Sequence, residues 1–165
     1  MPSTRAAPMV IVPAVPDDLE TLIAFRDEAA LWLASRGIDQ WSSPWPSEDL
    51  MIQGMLRNIE TQETFIVWDG TTAAATITVD RWANPDLWNE AERAEPALYA
   101  HKLTVARAYA GRRLGTELLD WAEIRAADSG ATWIRVDGWA TNHKLLRPAR
   151  QAPMPKLHEA GTLTG

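Results

Sequence analysis

The stretch Leu98–Leu119, LYAHKLTVARAYAGRRLGTELL, decides the fold. Leu98 to Ala106 is rich in apolar and β-favouring residues and predicts a strand. Arg107 to Gly111 is a connector. From Arg112 to Asp128 the period changes: Leu114, Leu118, Trp121 and Ala122 share one helix face, and Gly130 supplies the stop. A strand therefore passes through a glycine-containing turn directly into a helix. Such a turn leaves backbone N–H groups unpaired at the helix N-terminus, where they and the helix dipole favour a phosphate. Gly111 and Gly115 allow close backbone approach or tight packing, and Arg112 and Arg113 bring charge suited to phosphate oxygens. Taken alone, the same residues also read as a solvated basic first turn with two packing glycines. A nucleotide P-loop is excluded, because GxxxxGK[ST] is missing, and the glycine spacing does not fit GxGxxG either.

Outward from this segment, Met9–Val15 predicts a short strand. Pro16-Asp17-Asp18 then opens a helix with Asp17 as candidate N-cap, and Gly37 ends it. Trp41 to Pro46 is a loop. Ser47-Glu48-Asp49 starts a second helix reaching about Asn58. Thr64–Trp68 and Thr72–Trp82 are strands joined by the hairpin signal Asp69-Gly70. Asn84 to Pro96 is an acidic loop with room for one helical turn. Thr132–Trp139 is a further strand. After Leu146 the character changes: Pro148, Pro153 and Pro155 interrupt a stretch that suits neither a long helix nor an alternating strand. The expected organisation is one domain over residues 1–146 and an irregular or disordered tail over 147–165.

The chain has 165 residues, enough for one self-sufficient core, and a net charge of -6, which argues against general nucleic-acid binding. It has no cysteine, which excludes disulfides and thiolate chemistry, and His101, His143 and His158 lie too far apart for a metal-ligand motif. No segment reaches the ~18 apolar residues of a membrane span, and Met1 to Val15 lacks signal-peptide character, so the expected location is cytoplasmic.

The order strand, helix, helix, two hairpin strands, a third strand, glycine turn, helix, strand resembles the GNAT N-acetyltransferase superfamily. A common form of that family's coenzyme A pyrophosphate turn reads YRGRGIGSALL, and Tyr109 to Leu119 reads YAGRRLGTELL. Gly111, Arg112, Leu114, Gly115 and Leu118-Leu119 match. Ala110 and Arg113 depart from it, and Arg113 stands where the family often has Gly, so it needs a helical conformation or carries local strain. The resemblance covers about residues 9–146. It implies an α/β (α+β) fold, a mixed and mainly antiparallel sheet flanked by helices, with acetyl-CoA as co-substrate. It also implies that Leu103, Thr104 and Val105 bind the pantetheine arm, with the Val105 N–H as oxyanion donor, and that Gly111, Arg112, Arg113, Leu114, Gly115 and Thr116 bind the pyrophosphate. Asn142 fits the start of the family's next helix and is a candidate coenzyme contact. The acceptor is a small-molecule or peptide amine that attacks directly after losing a proton. Candidate bases are His101, Asp80 and Asp137, each of which also reads as a structural or surface residue. Trp41, Trp45, Trp82 and Trp88, with Asp86, Glu90, Glu92 and Glu95, either frame the entrance for a cationic amine or divide between core and solvated loop. Trp32 and Trp121 read as core.

The family usually continues into a helix bearing a tyrosine that protonates the departing thiolate, followed by two more strands. Here Pro148 and Ala149 stand where that tyrosine is expected, the only tyrosines are Tyr99 and Tyr109, and neither further strand is legible. An atypical or truncated C-terminal part would leave the Thr132–Trp139 edge open to pairing with a second copy. Besides an N-acetyltransferase, the chain therefore also reads as a non-catalytic acyl-CoA-binding protein or an inactive remnant.

Overall fold

The hairpin Thr64–Thr78 is the centre from which the sheet grows. The computed structural model describes residues 9–37, 47–137, 144–149 and 158–159. Strands β1 (Val10–Pro13), β2 (Thr64–Asp69), β3 (Thr72–Asp80), β4 (Ala97–Val105), β5 (Trp133–Asp137), β6 (Lys144–Pro148) and β7 (His158–Glu159) form one sheet of order β6-β5-β4-β3-β2-β1-β7. The pairs β4/β5 and β1/β7 are parallel and the others antiparallel. Helices are α1 (Leu19–Ser35), α2 (Glu48–Glu60), α3 (Glu90–Ala94) and α4 (Leu114–Asp128). This is the mixed, mainly antiparallel sheet flanked by helices expected from the sequence.

Local chemistry explains the element ends. Ser47 caps α2 by accepting from the Leu50 N–H at 3.2 Å. Asn89 and Glu92 form a reciprocal capping box on α3, at 2.8 and 3.0 Å. The entry to α1 differs from expectation. Pro16–Asp18 form a 3-10 turn, and it is Asp18, not Asp17, whose carboxylate accepts from the Val15 N–H at 2.8 Å.

The two sheet faces are filled differently. Beneath α4, Phe65, Val67, Ala75, Ile77, Leu98 and Ile134 meet Leu114, Leu118 and Trp121 in one continuous core. On the other face, α1 and α2 cover a smaller cluster of Leu22, Met55, Ile59 and Ile66. A third cluster, Trp88, Ala97 and Tyr99, lies under the β3–β4 connection. Trp121 is core as expected. Trp32 is not: it is half-buried, with the guanidinium carbons of Arg36 and Arg107 at 4.7 and 4.5 Å from its ring centre.

The C-terminal part corrects the sequence reading. Two strands follow β5, and β6 pairs antiparallel with it from Asp137↔Lys144 to Trp133↔Pro148. The β5 edge expected to lie open is therefore covered. Arg147 fastens β6 to α4 through Glu123 at 2.6 Å and Asp120 at 3.2 Å, and the Ala149 N–H donates to Thr132 O at 2.9 Å. Pro148 is tolerated because it ends a strand on the sheet edge. β6 runs across residue 146, the expected domain boundary, and His158–Glu159 of the expected irregular tail pair with Val10 and Ile11.

Candidate active site

The strand that leads into the glycine turn changes character halfway. Ala97 to Ala100 are buried and paired with β5, and Tyr99 and Ala100 are paired with β3 as well. The parallel ladder stops at Ala100↔Val136. Between Thr78↔His101 and Thr76↔Thr104, β4 carries one extra residue, so a β-bulge sits at Lys102 and Leu103. Lys102 takes φ 53°, a left-handed conformation unusual for a side-chain-bearing residue. The Thr104 hydroxyl closes the bulge by donating to Lys102 O at 3.1 Å.

Past the bulge, Thr104 and Val105 pair with β3, and no β5 partner is found for them among the described residues. The Ala106 N–H reaches Ala74 O on the β3 side at 2.9 Å. Alternation along a strand therefore turns the Val105 N–H, and the Leu103 N–H before it, away from β3 and toward the β5 side. The side chains of Leu103 and Val105 pack on the α4-side core.

β4 leads into the glycine turn. Gly111 has φ +81°, a region where any side chain is strained. Arg113 caps α4 from the left-handed region, φ 63° and ψ 18°, so the strain expected at this departure from the family pattern is present. A Cβ on Gly115 would meet Val105 Cγ2 at an ordinary 3.8 Å, so this glycine is not required by packing within the protein. The N–H groups of Leu114, Gly115 and Thr116 lie in the first turn of a 15-residue helix, where no intrahelical carbonyl reaches them. The Leu114 side chain is buried in the core, so only its backbone can serve a ligand. Arg112 and Arg113 are exposed at the same place, with the Arg112 guanidinium over the Tyr109 ring at 5.0 Å. The Tyr109 hydroxyl donates to Asp69 at 2.7 Å, and chiefly that bond raises its pKa above the usual phenol value.

Two of the candidate bases come together. His101 Nε2 lies 2.8 Å from Asp80 Oδ1, and each side chain keeps 15% of its surface exposed. The same oxygen accepts from the Trp82 N–H at 3.0 Å, which fixes the carboxylate. An ionised carboxylate only accepts, so the proton of the neutral imidazole is held on Nε2 and Nδ1 carries the basic lone pair. Lys102 lies beside them. Displacement of water from around its ammonium lowers its pKa, and the Asp80 charge opposes that shift. Asn142 and the side chain of Asp137 lie outside the described residues, as do Trp41 and Trp45.

The expected entrance is altered. Trp82 is 59% exposed and its ring centre is 6.1 Å from that of His101. Trp88 is fully buried and belongs to the core. Glu92 serves the α3 cap, and Glu95 pairs with Arg135 at 2.8 Å. Sequence reasoning missed Tyr99 and Arg135. Tyr99 lies two residues before His101 on a strand, hence on the same face, and that spacing was the available signal. Arg135 stands opposite Tyr99 across the parallel ladder, a pairing invisible in the sequence.

Residues 28–147 match the profile of the Acetyltransferase (GNAT) family. The chain belongs to that family. It is 32% identical over 137 residues, 81% of its length, to the uncharacterized N-acetyltransferase YesJ of Bacillus subtilis (strain 168), of which 74% is covered. Among solved structures it is similar to a GNAT-family acetyltransferase from Listeria monocytogenes, with a TM-score of 0.67, 23% identity, 81% of this chain and 78% of that one covered. It also resembles the PaiA N-acetyltransferase of Thermoplasma acidophilum, solved in complex with coenzyme A, with a TM-score of 0.57, 18% identity and 82% of each chain covered. These two likenesses establish the fold. Among the described residues, no helix of this GNAT chain is long and apolar enough to cross a membrane.

Proposed function

We propose that the chain is an acetyl-CoA-dependent N-acetyltransferase that moves the acetyl group to a primary amine of a small molecule or peptide by direct attack, working in the cytoplasm. The observation that carries this reading is the placement of the His101–Asp80 pair one residue before the β4 bulge. Beyond that bulge β4 pairs with β3, has no β5 partner among the described residues, and leads to the α4 N-terminus. That β5 side of β4 suits an amide-bearing arm, and the free N–H groups with Arg112 and Arg113 suit a pyrophosphate. Acetyl-CoA supplies a thioester, an acyl carbon already activated toward amines. Leu103 and Val105 hold its arm through backbone groups, and the Val105 N–H polarises the thioester carbonyl. Gly111 to Thr116 hold the pyrophosphate.

An alkyl ammonium has a pKa near ~10.4, so the acceptor must lose a proton before it attacks. His101 Nδ1 takes a proton from the amine, and Asp80 stabilises the imidazolium formed. His101 passes that proton to solvent, the amine nitrogen bonds to the acyl carbon, the C–S bond breaks, the nitrogen releases its second proton as the amide forms, and the thiolate takes one proton up from solvent. No tyrosine is needed for that last step, since a thiol pKa of ~8.5 makes the thiolate a tolerable leaving group. Tyr99 is buried against Arg135 and Tyr109 is bonded to Asp69, so neither is placed to act as that acid. The same observation supports a second reading, an acyl-CoA-binding protein without turnover.

Thiol release from acetyl-CoA in the presence of a panel of primary amines separates the two. The expected result is saturable release that drops by ~10²–10⁴-fold in His101→Gln while acetyl-CoA still binds. Binding without release for any amine would leave the second reading. Absence of binding would remove both.

A further inference from the structure

Arg135 is 1% exposed, and a buried guanidinium is costly unless its donors are used. Nη1 donates to the Tyr99 hydroxyl at 2.8 Å and to the carbonyl of Glu92 at 2.5 Å. Nη2 donates to Glu95 Oε1 at 2.8 Å. The guanidinium carbon is 4.9 Å from the Trp88 ring centre and 5.8 Å from that of Tyr99. Trp88 closes the other side of Tyr99 edge-on, at 5.6 Å. Nε has no hydrogen-bond partner among the described residues. A core that needed only volume here would be served better by an apolar side chain, so this partly satisfied cation calls for a reason.

The reason lies two residues along β4. The Tyr99 ring is parallel to the His101 imidazole within 9°, with centres 6.3 Å apart. His101 is thus bounded by Tyr99 on one side and tied to Asp80 at its Nε2. Packing against Trp88 sets where the Tyr99 ring sits, and the hydrogen bond to its hydroxyl adds a directional restraint on its plane. The same guanidinium grips the β3–β4 connection at Glu92 and Glu95, the segment that begins with the exposed Trp82 beside His101.

We propose that Arg135 and Tyr99 are positioning residues for His101: the buried guanidinium locks the Tyr99 ring, which sets the plane of the imidazole, and at the same time fixes the connection that borders the acceptor side. The role assigned to His101 rests on the acetyltransferase reading. The packing role of Tyr99 does not, and the two are tested apart.

The kinetic test measures kcat and KM for Tyr99→Phe and Arg135→Lys, each alone and in a His101→Gln background. Tyr99→Phe keeps the ring and its volume and removes only one of the acceptors of Arg135, so it is the milder variant, and urea unfolding checks that it is folded. The expected result is about tenfold lower kcat in Tyr99→Phe, unchanged KM for acetyl-CoA, and no further loss once His101 is replaced. A merely structural residue would cost the same factor with and without His101, and that result, or a parental kcat, would overturn the proposal. The second arm needs no activity. Ring current from Tyr99 shifts the His101 C–H resonances, identified by their loss in His101→Gln. That shift is expected to shrink in Tyr99→Phe, as the unanchored ring loses its fixed plane. An unchanged shift would overturn the proposal even if the chain turns over no amine.

Discussion

The two faces of this sheet are built to different rules. Under α4 the face is closed: Phe65, Ile77, Leu98, Ile134, Leu118 and Trp121 interlock, and the Phe65 and Trp121 rings meet edge-to-face at 4.8 Å. On the opposite face two smaller apolar clusters leave a polar lane between them. Thr64 and Thr78 share a 2.9 Å hydroxyl contact, Thr76 donates to Phe65 O, and Asp80, Tyr99, His101 and Arg135 continue the lane. The closed face supplies stability, and the lane holds polar groups whose hydrogen bonds are satisfied mostly by one another. The proposed catalytic pair His101–Asp80 sits in this lane, next to the β4 bulge.

Substitutions can break or sharpen that contrast. Trp121→Ala, on the closed face, should cost ~3–5 kcal/mol in urea unfolding, because a fully buried indole leaves a cavity. His101→Gln, in the lane, should leave stability within about 0.5–1 kcal/mol of the parent while abolishing most turnover; equal losses of stability at both sites would erase the distinction. Arg147→Met should cost about 1–2 kcal/mol, less than a fully buried pair, since Arg147 and Asp120 keep solvent contact. An unchanged midpoint would mean that β6 does not depend on its anchor to α4. Gly111→Ala should cost about 1 kcal/mol from its φ of +81°.

The smallest effect is pH-dependent. The Tyr109 pKa is raised in the folded state, first by its hydrogen bond to Asp69. Its stabilising contribution is therefore complete below the unfolded phenol value of ~10 and is lost as pH rises through the folded value. Tyr109→Phe should lie slightly below the parent in stability at pH 7, and the gap should narrow above pH ~10. A gap that widens in alkali would contradict the assignment.

Much of this was legible in the sequence, and the limits are physical. The strand, turn and helix of Leu98–Asp128 announce themselves through period and glycine placement, both local properties. His101 and Asp80 were legible as separate candidates, but not as a pair, because their 2.8 Å contact depends on the β3–β4 register. β6 was missed because its five residues include a proline and draw support from Glu123 and Asp120, more than 20 positions earlier. Trp32, expected in the core, is half-buried, and Trp88, left open between entrance and core, is in the core. An indole at helical spacing says nothing about the arginines that flank it, and one in an acidic loop says nothing about the buried Arg135 beneath it.

The most direct measurement is a calorimetric titration of the protein with acetyl-CoA, repeated with the Arg112→Ala/Arg113→Ala double variant. Saturable one-site binding is predicted, weakened about tenfold or more when both guanidinium groups are removed from the α4 N-terminus. A folded protein that binds no acetyl-CoA, or a double variant that binds it as tightly as the parent, would contradict the assignment of the glycine turn and the β5 side of β4 to the coenzyme.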